Sequence, residues 1–281
     1  MSSEITDEIA ASLREMDRLA APSGGPASGA GSPAPQGGLA GYAHATRTAT
    51  YGFLAAIPLL ILYEIGILLT NTGAGEVRVG ADVWLKQLLR AMGVQGGVLL
   101  AAIVIIVGGV VFWMERERRP RLVPRYFGGI LVESTVYAVV LAFIVSALVG
   151  VVFNAALWPA EPLALAQMAQ LSLPLQLSLS IGAGLYEELV FRVILVGGMF
   201  LGFRKVMADQ RKAYLLAAVI GALVFSAVHY MGPLGDPFQL PSFTYRVVFG
   251  LALNGVFLFR GFAVAAWTHA IYDVLVVTGA L

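Results

Sequence analysis

The chain is 281 residues long, 58% hydrophobic and 12% charged, about half the roughly 25% charged share of a soluble globular domain. A mean hydropathy of +0.81 excludes both a water-soluble enzyme built around one core and a disordered chain. The 18 Lys and Arg against 17 Asp and Glu leave no basic excess for nucleic acid, and with no cysteine there is no disulfide, thiolate metal site or cysteine nucleophile.

Residues 1–20 form a charged segment in which Ile5, Ile9, Leu13 and Met16 share one helical face. Residues 21–45 follow as a linker, opening with a Gly/Pro/Ala/Ser run too poor in apolar residues to fold. The first long apolar run lies behind this polar tail and is therefore not a signal peptide. From there the chain is membrane material. Apolar runs long enough to span a bilayer, about 20 residues each, are expected over 51–70, 94–114, 127–153, 175–200, 213–230, 243–259 and 262–280. Residues 82–92 and 161–173 have the pattern of short interfacial helices. The expectation is an all-α polytopic bundle with about seven transmembrane helices and a membrane domain over 46–281.

The positive-inside rule orients this bundle. A cytoplasmic N-terminus collects on the inside Arg14, Arg18, Arg47, the cluster Arg116, Arg118, Arg119, Arg121 and Arg125, then Arg204, Lys205, Arg211, Lys212 and Arg260. Only Arg78, Lys86 and Arg90 fall outside. The Ala/Gly-rich tail and bare loops point to a prokaryotic inner membrane, with the C-terminus on the outer side.

Charged groups at bilayer depth cost about 2.5–3.5 kcal/mol each and are characteristically paired, inward-facing and functional. Here they are Glu64, Glu133, Glu187, Glu188, Arg192, Arg246 and Asp273, joined by His229 and His269, two of only three histidines. Glu188 and Arg192 are spaced i, i+4 and share a helix face, which reads as a buried structural ion pair. Glu187 points about 100° away from that face and is left for chemistry. His269 and Asp273 repeat the i, i+4 spacing, so the carboxylate is expected to orient the imidazole. Phe225 and His229 do the same, with an aromatic face one turn below the histidine. Each histidine alone has an ordinary structural reading. Together, one Glu and two His on three helices suit either a water-activating base with imidazole helpers or a Glu187, His229, His269 zinc site with an open fourth position.

In order, Glu187-Glu188-Leu-Val-Phe-Arg192, Phe225-Ser-Ala-Val-His229 and His269-Ala-Ile-Tyr-Asp273 resemble the three motifs of the CPBP family. This family comprises CAAX-prenyl-protease-type and bacteriocin-processing intramembrane proteases and is also called Abi. The resemblance covers about 175–281. It implies an all-helical membrane endopeptidase in which Glu187 activates water with help from His229. His269 and Asp273 resemble the oxyanion-stabilising pair; Glu188 and Arg192, with Phe225, look like support. Position 273 is Asp where part of the family has Asn, and an ionised Asp repels an oxyanion; its expected role is therefore to orient His269. The implied partners are the lipid bilayer and a membrane-associated protein or peptide: a CAAX tail, a leader, or a C-terminal sorting tail. No cofactor is implied by the glutamate mechanism, while the alternative is zinc. A proton-linked transporter or a silent binding protein is the alternative from another class. A Glu64–Arg246 pair is expected from their compatible depths. Glu133 is expected to snorkel, and Asn254 to line a cavity or bond a neighbouring backbone.

Overall fold

In the computed structural model, residues 38–70, 77–93, 98–116, 120–154, 171–232 and 235–281 are described, and every regular element among them is helical. In chain order these are α1 (Gly38–Thr46), α2 (Ala49–Thr70), α3 (Gly80–Ala91), α4 (Val98–Met114), α5 (Pro124–Val152) and α6 (Leu173–Glu187). A π-helical stretch (Glu188–Val196) follows, then α7 (Gly197–Val206), α8 (Gln210–Val228), α9 (Leu240–Arg260) and α10 (Phe262–Val277). The segment 1–20, most of the linker, and 161–170 of the second interfacial segment lie outside the described residues. The end of the expected linker is helical: α1 takes in 38–45, held by Thr46 Oγ1 bonding back to Tyr42 O and by the Tyr42 ring edge-on to Tyr126.

Among the described residues four helices, α2, α5, α8 and α9, are long and apolar enough to cross a membrane; Ile103–Met114 and α10 are shorter apolar helices. This is an integral membrane protein. The expected span over 175–200 is a composite of α6, the π-helical stretch and α7. The 3.6-residue period cannot anticipate that widening, because π turns close from i to i+5; here Gly197 N–H reaches Arg192 O. The segment expected at 82–92 is α3, which buries Ala81, Asp82 and Leu89.

The bundle is apolar outside and small or polar inside. Along α5, Val132, Val136, Phe143 and Val151 face outward, while Ser134, Ala138, Ala142 and Val149 are buried. Small inward residues let backbones approach where lipid offers no competing hydrophobic drive. The centre is α6, packed between α2 and α10. A Cβ at Gly182 would stand 2.4 Å from the Tyr63 ring, and one at Gly184 would stand 2.5 Å from the backbone N of Ala270. Helices α9 and α10 are joined by Gly261 alone, at φ 83°, against the backbone of Arg47; that left-handed conformation favours glycine. The N-terminus of α2 is capped from the turn that follows α4, with Ala49 and Thr50 N–H donating to Glu115 at 2.7 and 3.0 Å.

Candidate active site

Glu187 is the last residue of α6, Glu188 and Arg192 lie on the π-helical stretch, His229 is the C-cap of α8, and His269 and Asp273 sit on successive turns of α10. The fold brings these groups together. Glu187 Oε2 lies 3.9 Å from His229 Nε2 and 4.0 Å from His269 Nε2. Both separations are too wide for a direct hydrogen bond and short enough for one water molecule to bridge. That oxygen is buried and has no hydrogen-bonding partner among the described residues.

By the depth arithmetic of straight helices these residues do not meet. His229 closes a 19-residue helix, about 28 Å of rise, whereas His269 is seven residues into α10, about 11 Å. The packing nevertheless brings them together, because α8 and α10 both contact the π-helical stretch that follows Glu187.

Each imidazole is fixed through its other nitrogen. His229 Nδ1 is 2.7 Å from Phe225 O, the carbonyl one turn back; that bond puts the proton on Nδ1 and the free lone pair on Nε2, facing Glu187. His269 Nδ1 is 2.7 Å from Glu188 Oε1. The carboxylate that orients His269 is therefore Glu188, on the neighbouring helix. Asp273 stands 3.6 Å from His269 Nε2 instead, because its i, i+4 position puts it beside the nitrogen that faces Glu187.

The expected Glu188–Arg192 pair is present at 2.9 Å with both side chains fully buried. The Arg192 guanidinium also covers the Phe225 ring at 4.5 Å and reaches Gly250 O. Phe225 stacks edge-on to both imidazoles, 4.9 Å from His229 and 6.0 Å from His269. Two aromatic walls carry no signal in the motif spacing. Phe191 packs on Phe225 at 5.2 Å, and Phe249 of α9 packs on His269 at 5.8 Å. Among the described residues no three His, Asp or Glu groups converge to hold a metal ion. The separations from Glu187 exceed the roughly 3.4 Å between donors arranged tetrahedrally about 2.1 Å from zinc.

The Rce1-like family, described as type II CAAX prenyl endopeptidases, matches residues 169–275. The chain carries a domain of that family. All three motifs fall within the matched span, and the CAAX endopeptidase-type domain is a peptidase domain. No curated protein and no solved structure matches the chain.

The other membrane charges pair differently from expectation. Glu64 and Arg246 are not partners. Glu64 accepts from Arg78 at 3.1 Å and Lys86 at 3.0 Å, in a cluster with Asp82 and Tyr63. Arg246 donates to Asp236 at 2.6 Å. Equal depth does not make two helices neighbours: α2 packs on α6 and α10, whereas α9 packs on α8, α10 and α5. Glu133 does not snorkel either. It takes Arg260 Nη2 at 2.8 Å and Tyr42 OH at 2.7 Å. Burial and that carboxylate together push the Tyr42 phenol above its ordinary pKa. Asn254 bonds a neighbouring backbone, donating to Ala218 O at 3.1 Å.

Proposed function

We propose that the chain is an intramembrane endopeptidase that hydrolyses a peptide bond with a water held by Glu187 and His229. The observation that supports this most directly is the convergence of two imidazole nitrogens on one buried carboxylate oxygen, at 3.9 and 4.0 Å. His229, protonated at Nδ1, presents a lone pair at Nε2, and Glu187 presents another. A water between them donates both hydrogens and turns its oxygen toward the scissile carbonyl. Glu187 takes the proton as the oxygen attacks the carbonyl carbon. It then returns the proton to the leaving nitrogen as the C–N bond breaks.

His269 is the electrophile in this scheme. Three carboxylates, those of Glu187, Glu188 and Asp273, crowd one buried site that Arg192 alone does not neutralise. An imidazolium at 269 supplies the second positive charge, and its Nε2–H donates to the oxyanion. Asp273, 3.6 Å from that nitrogen, adds negative charge that favours the imidazolium.

The substrate class is a membrane-associated polypeptide carrying a hydrocarbon group near the cleaved bond, as the family's description implies for a prenylated C-terminal tail. An almost wholly apolar groove between Trp84, Val190, Ile194, Leu195, Val224 and Val228 supports this reading. Phe191 lines the same groove and packs on Phe225 beneath the imidazoles.

The test compares peptides released from membranes bearing the wild-type chain and Glu187→Gln. The expected result is a set of C-terminally processed, lipid-modified polypeptides that disappears in the variant while the protein stays folded. Cleavage surviving in Glu187→Gln overturns the proposed base, and solute accumulation without any cleaved peptide establishes a transporter. Activity lost to a chelator and restored by zinc shows instead that the same residues ligate a metal.

A further inference from the structure

The connection from α8 to α9 begins at His229 and is tied down by groups that no motif contains. Arg246, buried on α9, donates from Nη2 to Asp236 at 2.6 Å and from Nη1 to Ser242 at 3.2 Å. Its guanidinium lies over the Tyr230 ring at 5.0 Å, and Tyr230 OH donates to Ser242 Oγ at 2.9 Å. Asp236 in turn donates its backbone N–H to His229 O at 2.8 Å. The Asp236 and Arg246 side chains are only 10% and 5% exposed.

His229 needs such support. It sits at the C-cap of α8, where its carbonyl has no helical partner of its own, and helix ends fray. The carbonyl is satisfied by Asp236, and Asp236 is held by an arginine one turn from Phe249 and Gly250, which border the site. A charge-assisted bond in a water-poor bundle fixes geometry more firmly than a neutral one.

We propose that Arg246 and Asp236 are positioning residues for His229: they lock the helix end so that its Nε2 stays in register with Glu187. This rests on the proposed hydrolytic reading, in which His229 holds the attacking water. Displacing a group that orients a nucleophile by about 1 Å costs up to roughly a hundredfold in rate.

The experiment uses the full chain in detergent-solubilised or reconstituted form, with Asp236→Asn, Asp236→Glu and Arg246→Gln. Cleavage is followed on a substrate identified by the Glu187-dependent comparison and normalised to folded protein. Asp236→Asn and Arg246→Gln are expected to lower kcat about tenfold or more with KM within about twofold, and Asp236→Glu to recover most of the loss. A parallel measurement needs no activity: with 15N-labelled histidine, the His229 ring is expected in the single Nδ1–H form in the wild type and in exchange between forms in Asp236→Asn. Wild-type kcat per folded molecule in Asp236→Asn, or an unchanged His229 ring signal, overturns the proposal. A chain that cleaves nothing yet shows the ring change refutes the hydrolytic reading alone.

Discussion

Glu188 has two partners, Arg192 on its own helix and His269 on α10, and it is fully buried. Its removal therefore has two separable consequences. Glu188→Gln leaves the Arg192 charge buried without its carboxylate, a loss of about 3–5 kcal/mol for a broken buried pair. It also replaces the carboxylate that holds His269 Nδ1 with a neutral amide, whose oxygen is a weaker acceptor and leaves an imidazolium at 269 without its charged partner. The expected outcome is a lower unfolding temperature together with a fall in kcat, and the fall persists when activity is normalised to folded protein. Asp273 shows the limit of reading one helix at a time. Its spacing from His269 promised an orienting carboxylate, yet the structure gives that task to Glu188, because the ring's two nitrogens face different helices.

At the scale of elements, the site depends on how closely α6 and α10 approach. Gly184 lies one turn before Glu187–Glu188, and a side chain there meets Ala270 N and Cβ at 2.5 Å and Ala266 O at 2.6 Å. The obstacle is backbone, so no rotamer relieves it and the helices must part. Gly184→Val is expected to destabilise the bundle by about 1–3 kcal/mol, as overpacking does, and to lengthen the distance between Glu188 and His269. Thermal unfolding in detergent measures the first effect and cleavage per folded molecule the second. Gly202, which meets nothing within 4 Å and lies outside the lining of the apolar groove, is the control position: Gly202→Val should leave folded-state activity near wild type. The π-helical stretch belongs to this scale as well. It begins directly at Glu188, one residue after the proposed base, in keeping with the frequent occurrence of π turns at functional sites.

For the molecule as a whole, the distribution of Lys and Arg predicts that the N-terminus faces the cytoplasm and the C-terminus the opposite side. Fusions that report sidedness, placed after residue 281 and within the residues 207–209 link, should read as external and cytoplasmic respectively; the reverse pair inverts the topology. The sequence by itself determined the membrane class, the helical fold, the family resemblance and the residues that carry charge where lipid is expected. These follow from composition and from spacing along single helices, because a scarce polar group in an apolar run is conspicuous without any neighbour in view. Only the tertiary structure decided which partners those groups take: Glu188 for His269, Asp236 for Arg246, Arg78 and Lys86 for Glu64. Pairing of that kind is set by which helices lie side by side and by the close approach that glycines such as Gly182 and Gly184 permit, and neither leaves a periodic trace in the chain.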